Sequence, residues 1–261
     1  MVHGFRGDHH GLAQIALRIR ERQPELSIIV PDLPGFGQTP STPGATHTLS
    51  HYGQWLAEFA RTVAPAHNTV ALAHSFGTLV LAEALTHGFD PRSIALVNPI
   101  SSRALQGPKK VMTQLAVGYY RAAEVLPEAI GRSLLSNRAI VRVMSETMAK
   151  TGDRRLRAWI HEQHSEFFSS FDNRETLLEA FEASVSHTVR EYADSFRAPT
   201  ALICGAKDEI APLESQLALE HALAAHTPTQ LYILPQTGHL SHYETPDEIS
   251  EISTQWWLGC R

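Results

Sequence analysis

Short apolar runs alternate with amphipathic patterns along most of the chain. Five runs of this kind are candidate buried strands, at 26–30, 69–73, 93–98, 200–205 and 230–234. Strands that are apolar throughout and alternate with helices are typical of a parallel sheet that is covered on both faces. We therefore predict an α/β fold with a mostly parallel sheet and helices on both sides of it.

Helical spacing of apolar residues fills the stretches between these runs. The predicted helices cover 12–19, 50–64, the residues that follow Gly77, 213–226 and 246–258. In each of them the apolar residues recur every three or four positions, as in one face of an α-helix. These patterns predict helices that pack one face against the sheet.

Residues 100–196 interrupt this alternation because they carry no strand signal. Aromatic and aliphatic residues recur there at helical spacing, over 156–171 and again over 177–192. Nearly a hundred residues are too many for one crossover between two parallel strands. We therefore predict a helical cap or lid at 100–196, inserted into a core made of 1–99 and 197–261.

Composition and charge narrow the classes of function. The chain has 261 residues and a net charge of -5, with no long basic run, so nucleic acid is not an expected partner. No apolar stretch is long enough to span a membrane. The two cysteines, Cys204 and Cys260, do not form a disulfide framework, and no signal segment begins the chain. We therefore expect a cytoplasmic protein without a nucleic-acid partner.

A serine stands at the sharpest predicted turn, in the motif Ala73-His74-Ser75-Phe76-Gly77. An apolar strand ends there and a helical pattern begins directly afterwards. Small residues two positions before and two positions after the serine let the strand and the helix approach each other. This pattern is a variant of the nucleophile elbow, in which the serine hydroxyl is exposed above the sheet edge.

Two further reactive side chains follow later strands, namely Asp208 and His239. The carboxyl ends of parallel strands meet at one edge of a sheet, and the order serine, acid, histidine fits this arrangement. We expect His239 to act as the general base for Ser75, and Asp208 to orient the imidazole. The residue after the strand 93–97 is Asn98, which is not ionisable, so Asp208 is the better candidate for the acid.

A tetrahedral intermediate also requires hydrogen-bond donors for its oxyanion. The backbone amide of Phe76, at the start of the elbow helix, is one candidate donor. The amide of Phe5, just after His3-Gly4, is the other.

Together these motifs resemble the α/β-hydrolase fold family, in the branch with a helical cap. The resemblance covers nearly the whole chain and is strongest at 3–5, 32–37, 73–77, 205–208 and 238–246. It implies a serine hydrolase without a metal or another cofactor, acting on an ester or a related acyl bond. The expected substrate is a partly apolar small molecule. It argues against the haloalkane dehalogenase and epoxide hydrolase branches, which use an aspartate where this chain has Ser75.

Two alternatives stay open at this point. One is a hydrolase of carbon-carbon bonds in diketone acids of the meta-cleavage type, for which a cation in the cap would hold the substrate carboxylate. The cap offers four candidate arginines, Arg138, Arg142, Arg154 and Arg157. The other alternative is a ligand-binding receptor built on a hydrolase scaffold.

The resemblance also makes the N-terminal region notable. Family members usually carry two further strands, and most of a third, ahead of the motif that corresponds to His3-Gly4. We therefore expect either an upstream start or a sheet with an exposed edge, which could pair with a second copy in a homodimer. In that sheet the strand at 26–30 would be central, between the elbow strand and the strand that ends at His3.

Several polar residues near these motifs are expected to have structural roles and not to bind a metal. We expect His9 and His10 to be loop residues at the pocket entrance, and His242 not to form a metal pair with His239. Asp32 is expected to cap its own turn.

Overall fold

A computed structural model describes residues 1–64, 68–103 and 110–259, and Cys260 lies outside this part of the chain. Its centre is a parallel sheet of four strands in the order β1-β2-β3-β4. The strands are β1 (Val70–His74), β2 (Ser93–Val97), β3 (Thr200–Gly205) and β4 (Thr229–Leu234). All four were predicted, and their carboxyl ends lie along one edge of the sheet.

Helices cover both faces of this sheet. Side chains of successive strand residues point to opposite faces, so Leu72 and Ala95 contact one layer whereas Ala73 and Leu96 contact the other. The first layer consists of α1 (Ala13–Arg22) and α11 (Pro246–Gly259), and the one-turn helix α10 (Ser241–Glu244) precedes α11. The second layer consists of α2 (Leu49–Val63), α3 (Phe76–Thr86) and α9 (Leu213–Ala224). This arrangement confirms the predicted α/β fold class.

The prediction of a strand at 26–30 is wrong, because these residues form none. The place beside β1 is taken by Val2, whose amide donates to Leu72 O (2.8 Å) and whose carbonyl accepts from His74 N (3.0 Å). The segment 26–30 therefore does not pair with β1. It is alternately half-buried and exposed, and Ile29 O accepts a hydrogen bond of 2.6 Å from the Met1 amino group.

The described residues between β2 and β3 are mostly helical and include no strand, as predicted. The α-helices of this stretch are α4 (Lys110–Val125), α5 (Glu128–Leu135), α6 (Arg138–Met148), α7 (Arg154–Phe167) and α8 (Arg174–Ser186). A 3₁₀ helix at Val189–Ser195 precedes β3. We call residues 110–195 the helical segment.

Two helices of the helical segment end earlier than the periodicity predicts, and tertiary contacts explain both ends. After α7, Phe171 pairs with Phe36 in an antiparallel bridge, and Ser170 O accepts from Gly37 N at 2.9 Å. After α8, the amide of Val189 donates to Ile100 O at 2.8 Å. Side-chain spacing within a helix carries no signal for such distant backbone partners.

No helix in the described ranges combines the length and the apolar character that crossing a lipid bilayer requires.

Candidate active site

Ser75 occupies a strained backbone conformation at the junction of β1 and α3. Its φ of 53° and ψ of -122° lie in a region that residues with a side chain rarely adopt. The helix packs very closely on the N-terminal segment here, since a Cβ at Gly77 would lie 2.5 Å from the carbonyl oxygens of Val2 and His3. The sharp turn predicted from the small residues around Ser75 is therefore present.

The structure brings Ser75, His239 and Asp208 into one hydrogen-bonded chain. Oγ of Ser75 lies 2.8 Å from Nε2 of His239, and Nδ1 of His239 lies 2.8 Å from Oδ2 of Asp208. All three side chains are buried. Each of them follows a different strand, so the shared edge of the sheet assembles the group from residues up to 164 positions apart.

The environment of Asp208 keeps it ionised. Burial alone would raise the pKa of its carboxyl, but the neighbouring His239 and the hydrogen bonds that Asp208 accepts hold this pKa below its ordinary value. Oδ1 accepts from the amides of Ile210 (2.8 Å) and Ala211 (3.1 Å), and Oδ2 accepts from Nδ2 of Asn98 at 2.6 Å. A negative Asp208 favours the His239 tautomer with a proton on Nδ1, which leaves Nε2 free to accept the serine proton.

Asn98 is a site residue whose role the sequence analysis missed. It directly follows β2, has a φ of 46° and is fully buried. Its Nδ2 also lies 3.2 Å from Gly238 O, and its Oδ1 accepts from Ser241 Oγ at 2.5 Å. The available signal was a polar residue at the end of a buried strand, and it was set aside because an amide cannot serve as the acid.

The backbone around Gly4 and Phe5 lies against the serine turn. A Cβ at Gly4 would be 3.2 Å from Cβ of Ser75, and the rings of Phe5 and Phe76 are in edge contact with centroids 6.4 Å apart. His3 fixes this loop, because its Nδ1 donates to Gly4 O (2.9 Å) and its Nε2 accepts from Leu33 N (2.9 Å). Both predicted oxyanion donors therefore belong to backbone segments next to Ser75.

Arg6 connects this loop to the helical segment. Its guanidinium is buried and donates to Leu135 O (2.6 Å), Phe168 O (3.1 Å) and the hydroxyl of Tyr120 (3.2 Å). It also lies over the Phe168 ring, 4.8 Å from the centroid. Among the described residues no carboxylate pairs with it, so neutral acceptors alone compensate its charge.

A cavity of about 220 Å³ opens above Ser75 and His239. The core contributes one wall, and the helical segment contributes the other. Residues of the second wall include Ala116, Tyr120, Met144, Met148, Phe167 and Phe181. The surface is mostly apolar, which suits the predicted partly apolar substrate.

The four candidate arginines of the helical segment do not line this cavity. Arg138, Arg142 and Arg154 are exposed, and Arg157 is half-buried with its guanidinium on Thr151 O. Of the described residues that line the cavity, none is a lysine or an arginine. The expectation that one of these four arginines holds a substrate carboxylate is therefore not supported by their positions.

Four buried histidines line the cavity in addition to His239, namely His3, His74, His164 and His242. Burial and the nearby His239 lower the pKa of His74 to about 3, burial lowers that of His164 to about 4, and burial lowers that of His242 well below the ordinary value. Nε2 of His74 donates to the His239 carbonyl at 3.0 Å, which helps to fix the backbone of the base.

A group of potential metal ligands lies beside the site, formed by Asp8, His9 and His10. Their nitrogens already engage carboxylates, because His9 Nδ1 lies 2.9 Å from Asp32 Oδ1 and His10 Nδ1 lies 3.2 Å from Asp8 Oδ1. Neither histidine lines the cavity, contrary to the expected position at its entrance. Asp32 also accepts from Gln38 N at 2.9 Å, so it caps its turn as predicted.

Comparison with known proteins supports this description. The model of a family described as "Alpha/beta hydrolase family" matches residues 1–252. No curated protein sequence matches significantly.

Solved structures share the fold over nearly the whole chain. An esterase from Thermogutta terrifontis is 20% identical, with a TM-score of 0.75 over 99% of this chain and 88% of its own. A bromoperoxidase from Bacillus anthracis is 15% identical, with a TM-score of 0.77 over 98% and 90%. The enol-lactonase from Burkholderia xenovorans is 16% identical, with a TM-score of 0.69 over 98% and 90%. With its sheet, its serine turn and the family match over residues 1–252, the chain belongs to the alpha/beta hydrolase family.

Proposed function

We propose that the protein is a serine hydrolase that cleaves an ester or a related acyl bond. The observation that carries the proposal is the continuous contact from Ser75 Oγ through His239 to Asp208, with both distances at 2.8 Å. A serine hydroxyl is a weak nucleophile at neutral pH, and an adjacent oriented imidazole is the group that activates it.

In this mechanism Ser75 attacks the carbonyl carbon while His239 takes the hydroxyl proton onto Nε2. The imidazolium that forms is stabilised by Asp208, which remains ionised. The amides of Phe5 and Phe76 donate to the oxyanion of the tetrahedral intermediate. His239 then protonates the leaving group, and a water molecule, deprotonated by the same imidazole, releases the acyl group from Ser75.

The helical segment acts as the cap in this proposal. Residues of α4, α6, α7 and α8 form the cavity wall opposite Ser75, so they decide which groups fit beside the scissile bond. The core then consists of 1–99 and 197–261. The names of the esterase and the enol-lactonase among the similar folds are in keeping with acyl-bond chemistry.

The two alternatives receive less support. Diketone acids carry a carboxylate, and the described lining of the cavity has no cation to bind one. A receptor would bind without turnover and has no need of an ionised Asp208 behind the His239 imidazole.

The test is covalent labelling with a fluorophosphonate probe, combined with turnover of short-chain p-nitrophenyl esters. We expect labelling at Ser75, found by peptide mass spectrometry, and loss of both labelling and turnover in Ser75→Ala. Ser102→Ala, which removes another hydroxyl from the cavity lining, should still be labelled. Labelling that persists in Ser75→Ala, or ligand-induced stabilisation without any turnover, would contradict the proposal.

A further inference from the structure

Ser145 on α6 lies between two histidines of α7. Its Oγ is 2.6 Å from Nδ1 of His161 and 2.7 Å from Nδ1 of His164. Ser145 is fully buried, and both imidazoles are nearly so. On the far side of the first ring, Nε2 of His161 lies 3.2 Å from a carboxylate oxygen of Glu146, but the two atoms form no hydrogen bond. A hydrogen-bonded chain thus runs from His161 through Ser145 to His164, with the Glu146 carboxylate at its surface end.

The negative charge of Glu146 selects the tautomers. A carboxylate 3.2 Å from Nε2 attracts a proton to that nitrogen of a neutral His161, which leaves Nδ1 as an acceptor. The single hydroxyl proton of Ser145 then goes to His161. Ser145 Oγ in turn accepts from Nδ1 of His164, whose other nitrogen, Nε2, carries a lone pair and no proton.

His164 belongs to the wall of the cavity above Ser75. Its Nδ1 is turned toward Ser145, which does not line the cavity, so the opposite edge of the ring with Nε2 faces the other way. No described residue offers Nε2 a hydrogen bond. Burial lowers the pKa of His164 to about 4, which keeps the ring neutral near neutral pH.

His242 is a second buried imidazole in the wall of the same cavity. Its Nδ1 has no hydrogen-bond partner among the described residues. Both rings pack on Tyr243, with centroid distances of 5.7 Å for His164 and 4.1 Å for His242.

We infer that His164 is a specificity-determining residue, which accepts a hydrogen bond from a neutral donor group, a hydroxyl or an N–H, on the substrate. His242 contributes a second buried imidazole to the wall of this mostly apolar cavity. The inference rests on the proposed hydrolase function and names the substrate class. The preferred esters carry a neutral donor at a defined distance from the scissile bond, and they carry no carboxylate.

The first test compares matched p-nitrophenyl esters over a series of chain lengths. In each pair one acyl chain ends in a hydroxyl, and its partner ends in a methyl group. A parallel series carries the same pair on the alcohol side of acetate esters. For the wild type, the ratio of kcat/KM within a pair should peak at one chain length. His164→Leu should lower that ratio about 10-fold, as expected for the loss of one hydrogen bond.

Two variants separate the hydrogen bond from simple packing. His164→Gln keeps an acceptor near the position of Nε2 and should retain most of the preference. His187→Leu makes the same change as His164→Leu at a half-buried position of the helical segment that does not line the cavity, and the ratio should stay at its wild-type value. If the ratio has no maximum over the series of chain lengths, or if His164→Leu does not change it, the inference is wrong.

A second test reads the tautomer directly and requires no activity. Nitrogen NMR of the histidine side chains near neutral pH should show His164 protonated at Nδ1 and unprotonated at Nε2. Ser145→Ala removes the acceptor of that proton and should shift the population toward the other tautomer. A wild-type His164 protonated at Nε2 would contradict the inference.

The outcomes distinguish this inference from the proposed function. If wild-type protein hydrolyses none of the esters and no probe labels Ser75, the proposed function fails. If the plain esters are hydrolysed but their ratios do not depend on His164, only the assignment of the subsite fails.

Discussion

Asn98 donates a hydrogen bond of 2.6 Å to Oδ2 of Asp208, the same oxygen that lies 2.8 Å from Nδ1 of His239. Asn98 is itself fixed by Ser241, whose hydroxyl donates to its Oδ1. The carboxylate is therefore held from two sides, by Asn98 on one oxygen and by two backbone amides on the other. Its orientation toward His239 depends on a residue that performs no proton transfer.

The variant Asn98→Asp should test this positioning role. Aspartate has the shape of asparagine and tolerates the positive φ, so we expect the protein to fold. A second carboxylate beside Asp208 disfavours its ionised form by like-charge repulsion, and the hydrogen-bond donor is lost. We expect kcat to fall by about 10-fold or more, with the acid limb of the pH profile altered and KM little changed. A wild-type profile in a folded Asn98→Asp would show that Asn98 does not control Asp208.

Asp208→Asn and Asp32→Asn form a matched pair of carboxylate removals. Removal of the acid in a comparable triad costs about 10,000-fold in kcat, and we expect a loss of that order for Asp208→Asn. Asp32 accepts hydrogen bonds from Gln38 N and His9 N within a loop. Asp32→Asn should therefore lower the melting temperature and have only a small effect on kcat. Stopped-flow or steady-state turnover of a p-nitrophenyl ester measures kcat for both variants, and thermal unfolding measures their melting temperatures. Equal and mild losses in kcat would place the acid elsewhere.

Arg6→Met should destabilise the fold. The substitution removes the guanidinium and leaves the acceptors of Leu135, Phe168 and Tyr120 without their donor in a buried place. Each unsatisfied acceptor costs about 1–3 kcal/mol, so the free energy of unfolding in urea should fall by at least about 2 kcal/mol.

Arg132→Met is the control for Arg6→Met. Arg132 also lies over an aromatic ring, at 5.4 Å from the Phe171 centroid, and donates to Asp172 O, but it is exposed. Its replacement should cost less than about 1 kcal/mol, because water can satisfy the groups it leaves. If the free energy of unfolding falls by similar amounts in the two variants, the burial of Arg6 adds no stability beyond that of an exposed arginine.

The buried histidines should make stability depend on pH. In the folded state the pKa of His74 is about 3 and that of His164 about 4, whereas an unfolded histidine titrates near about 6.5. Below about pH 6.5 the unfolded chain binds protons that the folded chain does not, so the free energy of unfolding falls as the pH falls. Each such histidine contributes a slope of up to about 1.4 kcal/mol per pH unit.

His74→Gln isolates one of these contributions. Glutamine can still donate to the His239 carbonyl, and it does not titrate. Urea unfolding between about pH 5 and 6.5 should give a shallower slope for this variant than for the wild type, and the two should run parallel above about pH 7.5. Identical slopes over the lower range would contradict a depressed pKa at His74.

The sequence predicts the sheet well because fully buried strands appear as apolar runs, and it predicts Ser75, Asp208 and His239 because strand ends share one edge. It failed at 26–30, since an apolar run does not reveal which strand lies beside it. The contacts that were missed are long-range ones, such as Arg6 with Leu135, which are 129 positions apart. Nor does helical spacing show which side of a helix faces a cavity, and for this reason the four arginines were candidates.

The two walls of the cavity come from different parts of the chain, and this separation determines which substitutions alter substrate choice alone. The atoms proposed to break the bond come from the ends of β1, β3 and β4, whereas the opposite wall comes from α4, α6, α7 and α8. Substitutions in those helices can retune substrate choice in laboratory evolution while the reactive centre stays intact. Arg6 marks the limit of this freedom, because the helices are anchored to the residue next to Phe5 and large shifts in their packing would be transmitted to the oxyanion loop.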